Sequence, residues 1–230
     1  RMRITEELSR AFSGLRVKEL ELKNLSVRKS DQWLEEFKKQ KQAEIRQRVS
    51  SLEEVKSIPL LRAYRDFYWK VGIDPTKTRP AGEALIRRIL GGKGLPTINT
   101  LVDAYNIASA ESSVAIAAFD ISLVAKESLM MRLADNGESF LGIGMNAPII
   151  LSGVEVVIED EKNKKLIAIY PYRDSAESKV TENTHDALLL MCGVPGINDE
   201  DLARARALSE RYIKEYCSPS QNSFSSGLRS

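Results

Sequence analysis

The spacing of apolar residues divides the chain into a helical first part and a later part that is rich in strands. Thr5 caps a short helix that ends near Phe12, and alternating apolar residues predict a strand over residues 15–25. A long helix over residues 30–56 has two apolar clusters separated by the wholly polar segment KKQKQ. Apolar stripes at helical spacing predict three more helices, over residues 59–71, 80–90 and 98–110.

From residue 113 onward, strand patterns replace the helical spacing. Runs of apolar and β-branched residues predict strands over residues 114–124, 129–133, 140–143, 149–158 and 166–172. A charged turn makes residues 154–172 a hairpin, and residues 183–192 and 199–216 return to a helical pattern. Strands joined by short turns favour antiparallel pairing over βαβ units. The sequence therefore predicts an α/β protein of the α+β type, with mostly antiparallel sheets flanked by helices.

The composition is that of an ordinary globular protein: 43% of the 230 residues are hydrophobic and 29% are charged. This length fits a single unit over residues 1–217, in which an N-terminal strand and long helix (1–56) precede a core (57–217). The Ser-rich tail over residues 218–230 is expected to be disordered. The formal net charge of +2 gives no strong overall attraction to nucleic acid, so DNA binding is not expected and any RNA contact must come from a local patch.

The content of cysteine and histidine limits the possible chemistry. Cys192 and Cys217 form no metal-binding or redox spacing, and His185 is the only histidine, so neither a metal nor an organic cofactor is expected. No signal peptide and no apolar run long enough to cross a membrane can be found in the sequence. The expected compartment is therefore a reducing cytoplasm, without membrane contact.

Polar residues are concentrated in residues 72–106, where glycines and prolines surround two short helical patterns. Asn99, Asp103 and Asn106 are spaced i, i+4 and i+7 on the second of these helices. At about 100° per residue they lie on one stripe, opposite the apolar residues of the same helix. This stripe faces either water or a polar ligand.

Two separated motifs resemble the editing domain of the phenylalanyl-tRNA synthetase beta chain, in its free-standing form. The first is YRDFYWKVGIDPTKTRPAGEAL followed by LPTINTLVDAYN, and the second is YRDSAESKVTENT, from Tyr172 to Thr184. The resemblance covers roughly residues 55–215 and implies a three-layer fold that contains a β-sandwich. It also implies hydrolysis in trans of an amino acid wrongly attached to tRNA. The synthetase's catalytic and anticodon-binding domains do not occur in this sequence, so we do not expect it to charge tRNA.

An editing site must hold the substrate's α-ammonium, bind its terminal adenosine and let water reach the ester carbonyl. The residues expected to be catalytic are Glu83, Asp103 and Asn106, since carboxylates can bind the ammonium or orient water and an amide can bind ribose or the carbonyl. The residues expected to bind substrate are Arg79, Asn99, Arg173, Asp174, Ser175, Thr181 and Thr184. We expect these groups to converge on one concave site of amino-acid size.

Each of these groups also has a structural alternative. Asn99 and Asp103 can cap a helix, and Arg79 with Glu83 can form an i, i+4 ion pair. The residues of the second motif can fasten the end of a hairpin or cap the next helix.

Basic residues on the long helix and in the GGKG loop are candidates for contacts with RNA phosphates. They are Lys38, Lys39, Lys41, Arg46, Arg48 and Lys93. The alternative is a solvated helix face that binds nothing.

The expected partner is the aminoacylated 3′ end of tRNA, and a free amino acid is a further candidate ligand. Two other functions remain open: a module that binds tRNA or an amino acid without chemistry, and an interaction partner of a synthetase. An editing enzyme differs from both because it removes the ester from misacylated tRNA.

Overall fold

A computed structural model describes residues 1–219 of the chain. Its helices are α1 (Glu6–Ala11), α2 (Gln32–Arg48), α3 (Leu52–Ser57), α4 (Pro59–Lys70), α5 (Ala81–Leu90), α6 (Thr100–Ser112) and α7 (Asp199–Tyr216). Five of them begin at a side chain that accepts a first-turn N–H; these caps are Thr5, Asp31, Ser51, Asn99 and Asn198. No helix in the described range is long and apolar enough to span a membrane. The tail predicted to be disordered lies, from residue 220 onward, outside the described residues.

The strands are β1 (Arg3–Ile4), β2 (Arg16–Leu22), β3 (Ala115–Asp120), β4 (Leu129–Leu133), β5 (Ser139–Phe140), β6 (Ile149–Ile150), β7 (Val156–Asp160), β8 (Lys165–Tyr170), β9 (Arg173–Asp174) and β10 (Ala187–Gly193). They form a five-stranded sheet in the order β1-β4-β7-β8-β9, a three-stranded sheet in the order β2-β10-β3, and a separate β5-β6 hairpin. All neighbours are antiparallel except the β1-β4 pair. The α+β class with mostly antiparallel sheets is confirmed.

Buried tyrosines join the two larger sheets to each other and to helix α4. The Tyr170 hydroxyl, on β8, donates to the Gly193 carbonyl at the end of β10 at 2.7 Å. Tyr64 on α4 donates to the Cys192 carbonyl at 2.6 Å and accepts from the Ala115 N–H at 3.0 Å, which fixes α4 against the three-stranded sheet. One continuous hydrophobic core includes buried residues from the helices and from both sheets. The edge strands β3 and β9 therefore lie side by side.

The prediction of a helix over residues 183–192 is wrong, because β10 occupies this segment. β10 is the central strand between β2 and β3, and all seven of its residues are buried. A strand covered on both faces has a continuous apolar run, which periodicity cannot distinguish from a buried helix.

The predicted long helix over residues 30–56 is two helices. α2 ends at Arg48, Val49 is extended, and Ser51 caps α3 by accepting the Glu54 N–H. The two serines at positions 50 and 51 interrupt the helical pattern, and Ser51 starts a new helix as its cap instead of continuing the first helix. Similarly, the predicted strand over residues 149–158 is divided into β6 and β7, with Gly153 at a φ of 99° between them.

The Asn198→Ala variant measures the contribution of the cap of α7. Asn198 forms a capping box with Asp201, in which each side chain accepts the other's backbone N–H. We expect a loss of about 1 kcal/mol in the free energy of unfolding and a fall in Tm of roughly 2–4 °C. Urea and thermal unfolding check this. Asn183→Ala, at an exposed loop position, is the control and should change stability by less than about 0.5 kcal/mol.

Candidate functional site

A cavity of about 60 Å³ lies where strands β3 and β9 meet. We call it the Asp174 cavity. It is bounded by residues 115–117 of β3, by residues 168–174 of β8, β9 and the turn between them, and by Ala81, Ile158 and Cys192. The helices contribute through the first residue of α5, Ala81.

Small side chains create this space. Ala115 and Ala117 on β3 and Ala168 on β8 are almost fully buried, and each of them lines the cavity. Strand interiors usually contain β-branched or aromatic residues, which would fill a space of this size. The cavity therefore follows from alanine at three strand positions that are distant in the sequence.

Asp174 is the carboxylate that lines the cavity, and its pKa is raised into the neutral range. Its Oδ2 accepts the Ala118 N–H at 3.2 Å, and within the described chain no group donates to its Oδ1. Burial raises its pKa to about 7, against a partial lowering by the Ala118 hydrogen bond. Burial also raises the pKa of the neighbouring Tyr105 phenol, and the charge of Asp174 raises it further. A carboxylate without a cationic partner is available to a cationic ligand.

Arg173 is the cation at the edge of the cavity. Its guanidinium carbon lies 5.0 Å from the centre of the Tyr172 ring, and its Nη1 donates to the Ile143 carbonyl at 3.2 Å. A Cβ on Gly142 would lie 2.4 Å from the Arg173 Cδ, so the loop after β5 packs on the arginine stem only because residue 142 is glycine. No carboxylate forms an ion pair with Arg173 in the described part of the chain, so its charge is available to an anion.

The N-terminus of α5 forms another part of the cavity wall. Pro80 precedes Ala81 and provides no side-chain cap, and the first N–H of this helix with a carbonyl acceptor is that of Ala84. Of the first-turn residues, only Ala81 lines the cavity, and within residues 1–219 its N–H has no hydrogen-bond acceptor, whereas Gly82 and Glu83 are buried away from it. The helix dipole adds positive potential at this end. This end of the cavity suits a carbonyl oxygen or a developing negative charge.

The B3/4 domain family matches residues 63–217, about two thirds of the chain. The chain belongs to the B3/4 domain family. A curated relative, the phenylalanine–tRNA ligase beta subunit of Clostridium acetobutylicum, is 27% identical over 126 residues, which cover 53% of this chain and 16% of that relative. An N-terminal fragment of the phenylalanyl-tRNA synthetase beta subunit from Pyrococcus horikoshii is 14% identical with a TM-score of 0.43, over 50% of this chain and 40% of that one. The resemblance to the beta chain seen in the sequence is thus confirmed at the level of the domain family.

Every residue that lines the Asp174 cavity lies inside the range matched by the B3/4 domain. Helix α2 lies outside that range. Within the matched range, the second motif supplies Arg173 and Asp174 to the cavity. Their roles in binding a substrate remain a prediction.

Glu83 does not line the cavity but lies in a buried cluster of arginines. Arg65 donates to both of its carboxylate oxygens, at 2.7 and 2.6 Å, and Arg87 donates at 2.8 Å. Arg79 approaches to 4.0 Å and also donates to the Pro75 carbonyl at 3.4 Å. Burial raises the pKa of Glu83, but the arginines outweigh it and hold the pKa below its usual range. The expected catalytic role is corrected to a structural one, because this carboxylate has its full set of partners.

Asn99 and Asp103 also have structural partners. The Asn99 side chain caps α6 by accepting the Val102 N–H at 2.9 Å. Asp103 accepts the Ile98 N–H at 2.9 Å and the Lys38 ammonium at 2.8 Å, and it is buried. Burial raises the pKa of Asp103, and this effect outweighs the lowering of the pKa by the Lys38 ammonium and the Ile98 N–H. Asn106 is partly exposed, and none of the stripe lines the Asp174 cavity. The expected convergence of the first motif's polar groups on the cavity is thus not observed.

The remaining hydroxyls of the second motif are bound within the fold. Ser175 accepts the Glu177 N–H at 3.2 Å. Thr181 accepts the Asn183 N–H at 3.1 Å, and Thr184 donates to Asp120 at 2.7 Å while it accepts the Thr181 N–H. The bonds of Thr181 and Thr184 close the turn before β10, and that of Ser175 lies just after β9. These partners favour a structural role, and substrate binding by the three residues remains a prediction.

Two of the lysines expected to meet RNA are unavailable. Lys38 is 2% exposed and is bound by Glu35, Pro96, Thr97 and Asp103. Lys41 is largely buried between Glu44 and Glu111, and its ammonium lies 5.5 Å from the Phe37 ring centre. The expectation of phosphate contacts is corrected for both.

The other four basic residues, Lys39, Arg46, Arg48 and Lys93, are exposed. Arg46 and Arg48 donate to the main-chain carbonyls of Ile89 and Glu111, at 3.3 and 3.1 Å. Contact of these four residues with RNA remains a prediction.

A larger and shallower groove of about 430 Å³ lies between the end of β2 and α7. Its charged groups neutralise one another, since Glu21 is paired with Lys126 and Lys23, and Glu210 with Lys214. A surface of exposed, mutually paired charges is weakly suited to binding a ligand. Residues 1–219 contain no group of three or more His, Cys, Asp or Glu side chains placed to hold a metal ion. The Asp174 cavity is therefore the better candidate despite its smaller volume.

The local sequence does not predict the walls of the cavity. The signal that was available is the repeated alanine in AIAAF (115–119) and IAIYPY (167–172), where strands would normally have larger residues. Tyr105, which the helical spacing places on the apolar side of α6, lies near Asp174 in the structure. Which alanines face each other depends on strand pairing, which the local pattern does not contain.

Proposed function

We propose that this B3/4 domain hydrolyses the ester between an amino acid and the 3′-terminal ribose of tRNA. Its substrate is tRNA that another enzyme has aminoacylated. The observation that supports this most strongly is the Asp174 carboxylate, which lines a small apolar cavity without a cationic partner. A half-buried carboxylate with an open oxygen is a receptor for an ammonium group. The relation to beta subunits of phenylalanine–tRNA ligases supports tRNA as the nucleic acid.

The substrate's α-ammonium binds the open oxygen of Asp174, which brings the neighbouring ester carbonyl toward the first turn of α5. There the N–H of Ala81 and the positive end of the helix dipole stabilise the oxyanion that forms when water adds to the carbonyl carbon. The carbon–oxygen ester bond then breaks, and the ribose oxygen leaves and takes up a proton. The products are a free amino acid and tRNA with an intact terminal hydroxyl.

The nucleophile in this proposal is water. Cys192 lines the cavity, but burial raises the pKa of its thiol far above neutrality and the thiol donates to the Leu190 carbonyl at 3.4 Å. His185 is exposed and does not line the cavity. An aminoacyl ester is activated by its own ammonium, so positioning and oxyanion stabilisation provide the needed acceleration.

The terminal nucleotide is expected to bind at the edge formed by Tyr172 and Arg173. A guanidinium over an aromatic ring offers a flat surface on which adenine can stack and a charge that can bind phosphate. Beside it, the β5-β6 hairpin exposes Leu141, Ile143 and Ile150, which lowers the exposure of a bound base to water. These groups lie next to the cavity that receives the amino acid.

An ester-release assay tests the proposal. Purified protein is mixed with tRNAs that carry radiolabelled alanine, serine, cysteine, valine, phenylalanine or tyrosine, and acid-precipitable label is followed with time. We expect at least one of these esters to be lost at least ten times faster than in buffer. If every ester decays at the buffer rate while the tRNA still binds, the protein is a binding module and the proposed hydrolysis is excluded.

A further inference from the structure

The size of the Asp174 cavity restricts the amino acids that can enter it. A site for one water needs about 10–15 Å³ on this measure, so about 60 Å³ has room for roughly four to six groups of that size. The ammonium, the α-carbon and the ester carbonyl carbon use three of them, which leaves room for a side chain of one to three heavy atoms. An aromatic ring alone has six heavy atoms, which is more than this space admits.

The strand walls cannot move apart to admit a larger group. Ala115 is held in the ladder between β3 and β10, and Ala168 is held between β7 and β9. Behind them, Ile158 and Tyr170 are buried core residues, and the Tyr170 hydroxyl is bonded to the Gly193 carbonyl. Well-packed interiors resist expansion, so widening the cavity would break ladder hydrogen bonds and core contacts.

Helix α5 is also fixed in place. A Cβ at Gly82 would make van der Waals contact, at 3.4 Å, with atoms of Leu61, Ser109 and Ser113, so α5 lies close to α4 and to the end of α6. Glu83, one residue further on, is bound by Arg65 and Arg87. The first turn of α5 therefore cannot retreat from the cavity.

We propose that the Asp174 cavity selects small amino acids, namely alanine, serine and cysteine, and excludes phenylalanine and tyrosine. This inference rests on the proposed function for the identity of the nucleic acid, but the size limit is a property of the cavity. The apolar walls do not separate alanine from serine strongly, because a hydrophobic pocket rejects an added hydroxyl only weakly. Steric exclusion of an aromatic ring is the dominant source of selectivity.

Binding is the decisive measurement, since it does not depend on catalysis. The probes are 3′-amino-3′-deoxyadenosine carrying either alanine or phenylalanine through an amide bond, which water does not cleave at a useful rate. Titration calorimetry should show that the alanyl compound binds at least ten times more tightly than the phenylalanyl one. Equal affinities, or tighter binding of the phenylalanyl compound, would overturn the inference. Failure of both to bind would overturn it as well.

Ester release separates this inference from the proposed function. Loss of the alanyl, seryl and cysteinyl esters, while the phenylalanyl and tyrosyl esters stay intact, supports both the proposed hydrolysis and the size limit. Release of aromatic esters at comparable rates leaves the proposed hydrolysis standing and removes the size limit. No release together with selective binding of the alanyl probe removes the hydrolysis and keeps the size limit.

Two variants change the cavity in opposite directions. Ala81→Leu adds bulk at an exposed rim position, so the chain should fold, and we expect binding of the alanyl probe to fall at least tenfold. Ile116→Ala enlarges the cavity from the partly exposed side of β3. It should bring the binding affinities of the alanyl and phenylalanyl probes closer together. Ala43→Leu, at an exposed position of α2 outside the cavity, is the matched control and should leave both affinities unchanged.

Discussion

Replacement of Asp174 by asparagine should lower the rate of ester release at about pH 8 by roughly 100-fold or more. The amide keeps the size of the side chain and can still accept the Ala118 N–H, but it has no charge to hold the substrate's ammonium. The measurement is single-turnover release of the best ester from the panel, with circular dichroism to verify the fold. Glu177→Gln, which removes an exposed carboxylate three residues away, is the control and should retain full activity.

The dependence on pH should identify the same group. Because burial raises the pKa of Asp174 to about 7, the carboxylate is mostly protonated at about pH 6 and mostly ionised at about pH 8. The rate relative to buffer should therefore rise through about pH 7 in the wild-type protein, and Asp174→Asn should remove this rise. An unchanged profile in the variant would show that another group controls the reaction.

Stability should change with pH in the opposite direction. The pKa of Asp174 is about 7 when folded and close to 3.8 when unfolded, so between these values the folded state binds more protons than the unfolded state. The free energy of unfolding should therefore fall as pH rises from about 4 to about 7, and then stay level. At about 1.4 kcal/mol per pKa unit the full shift corresponds to roughly 4 kcal/mol.

Asp174→Asn should abolish this dependence and be more stable than the wild type near neutral pH. Urea unfolding at several pH values checks the sign. A variant that gains stability while it loses activity is expected where a group is placed for function. A variant destabilised at every pH would show instead that Asp174 fastens the end of the hairpin, which was its structural alternative.

Lys38→Met should destabilise the protein by about 3–5 kcal/mol and lower the Tm by roughly 10 °C. The Lys38 ammonium has four partners, and Asp103 is buried completely beside it. Removal of the lysine leaves the Asp103 charge without its cation in a buried site, which is more costly than removal of both charges. Urea unfolding with an unchanged m value would measure the loss.

The double variant Lys38→Met with Asp103→Leu should recover much of this loss, because an apolar pair leaves neither charge uncompensated. Lys39→Met is the matched control on the same helix; its side chain is 70% exposed and pairs only with Glu36, so less than about 0.5 kcal/mol is expected. If Lys38→Met costs less than about 1 kcal/mol, the buried ion pair is not structural, and Lys38 returns to the set of candidates for RNA contact.

The sequence by itself determined the features that depend on neighbouring residues. The cap at Thr5, the hairpin of β7 and β8, and the final helix follow from local hydrogen bonding and from apolar spacing. Asn99 was a cap in one of the two interpretations of its stripe, and it does cap α6. The two motifs were also enough to indicate the domain family. They placed Arg173 and Asp174 among the candidate residues without showing that these two differ from the rest.

Only the tertiary structure decided which carboxylate is available to a ligand. Glu83 looked as suitable as Asp174, but Arg65, from another helix, binds it through two hydrogen bonds, whereas within residues 1–219 no cation pairs with Asp174 and its carboxylate accepts the Ala118 N–H. The cavity itself depends on strand pairing that brings the alanines of β3 and β8 together. Local sequence sets the type of each side chain, while its partners, its burial and therefore its pKa are set by residues that the fold brings near from distant parts of the chain.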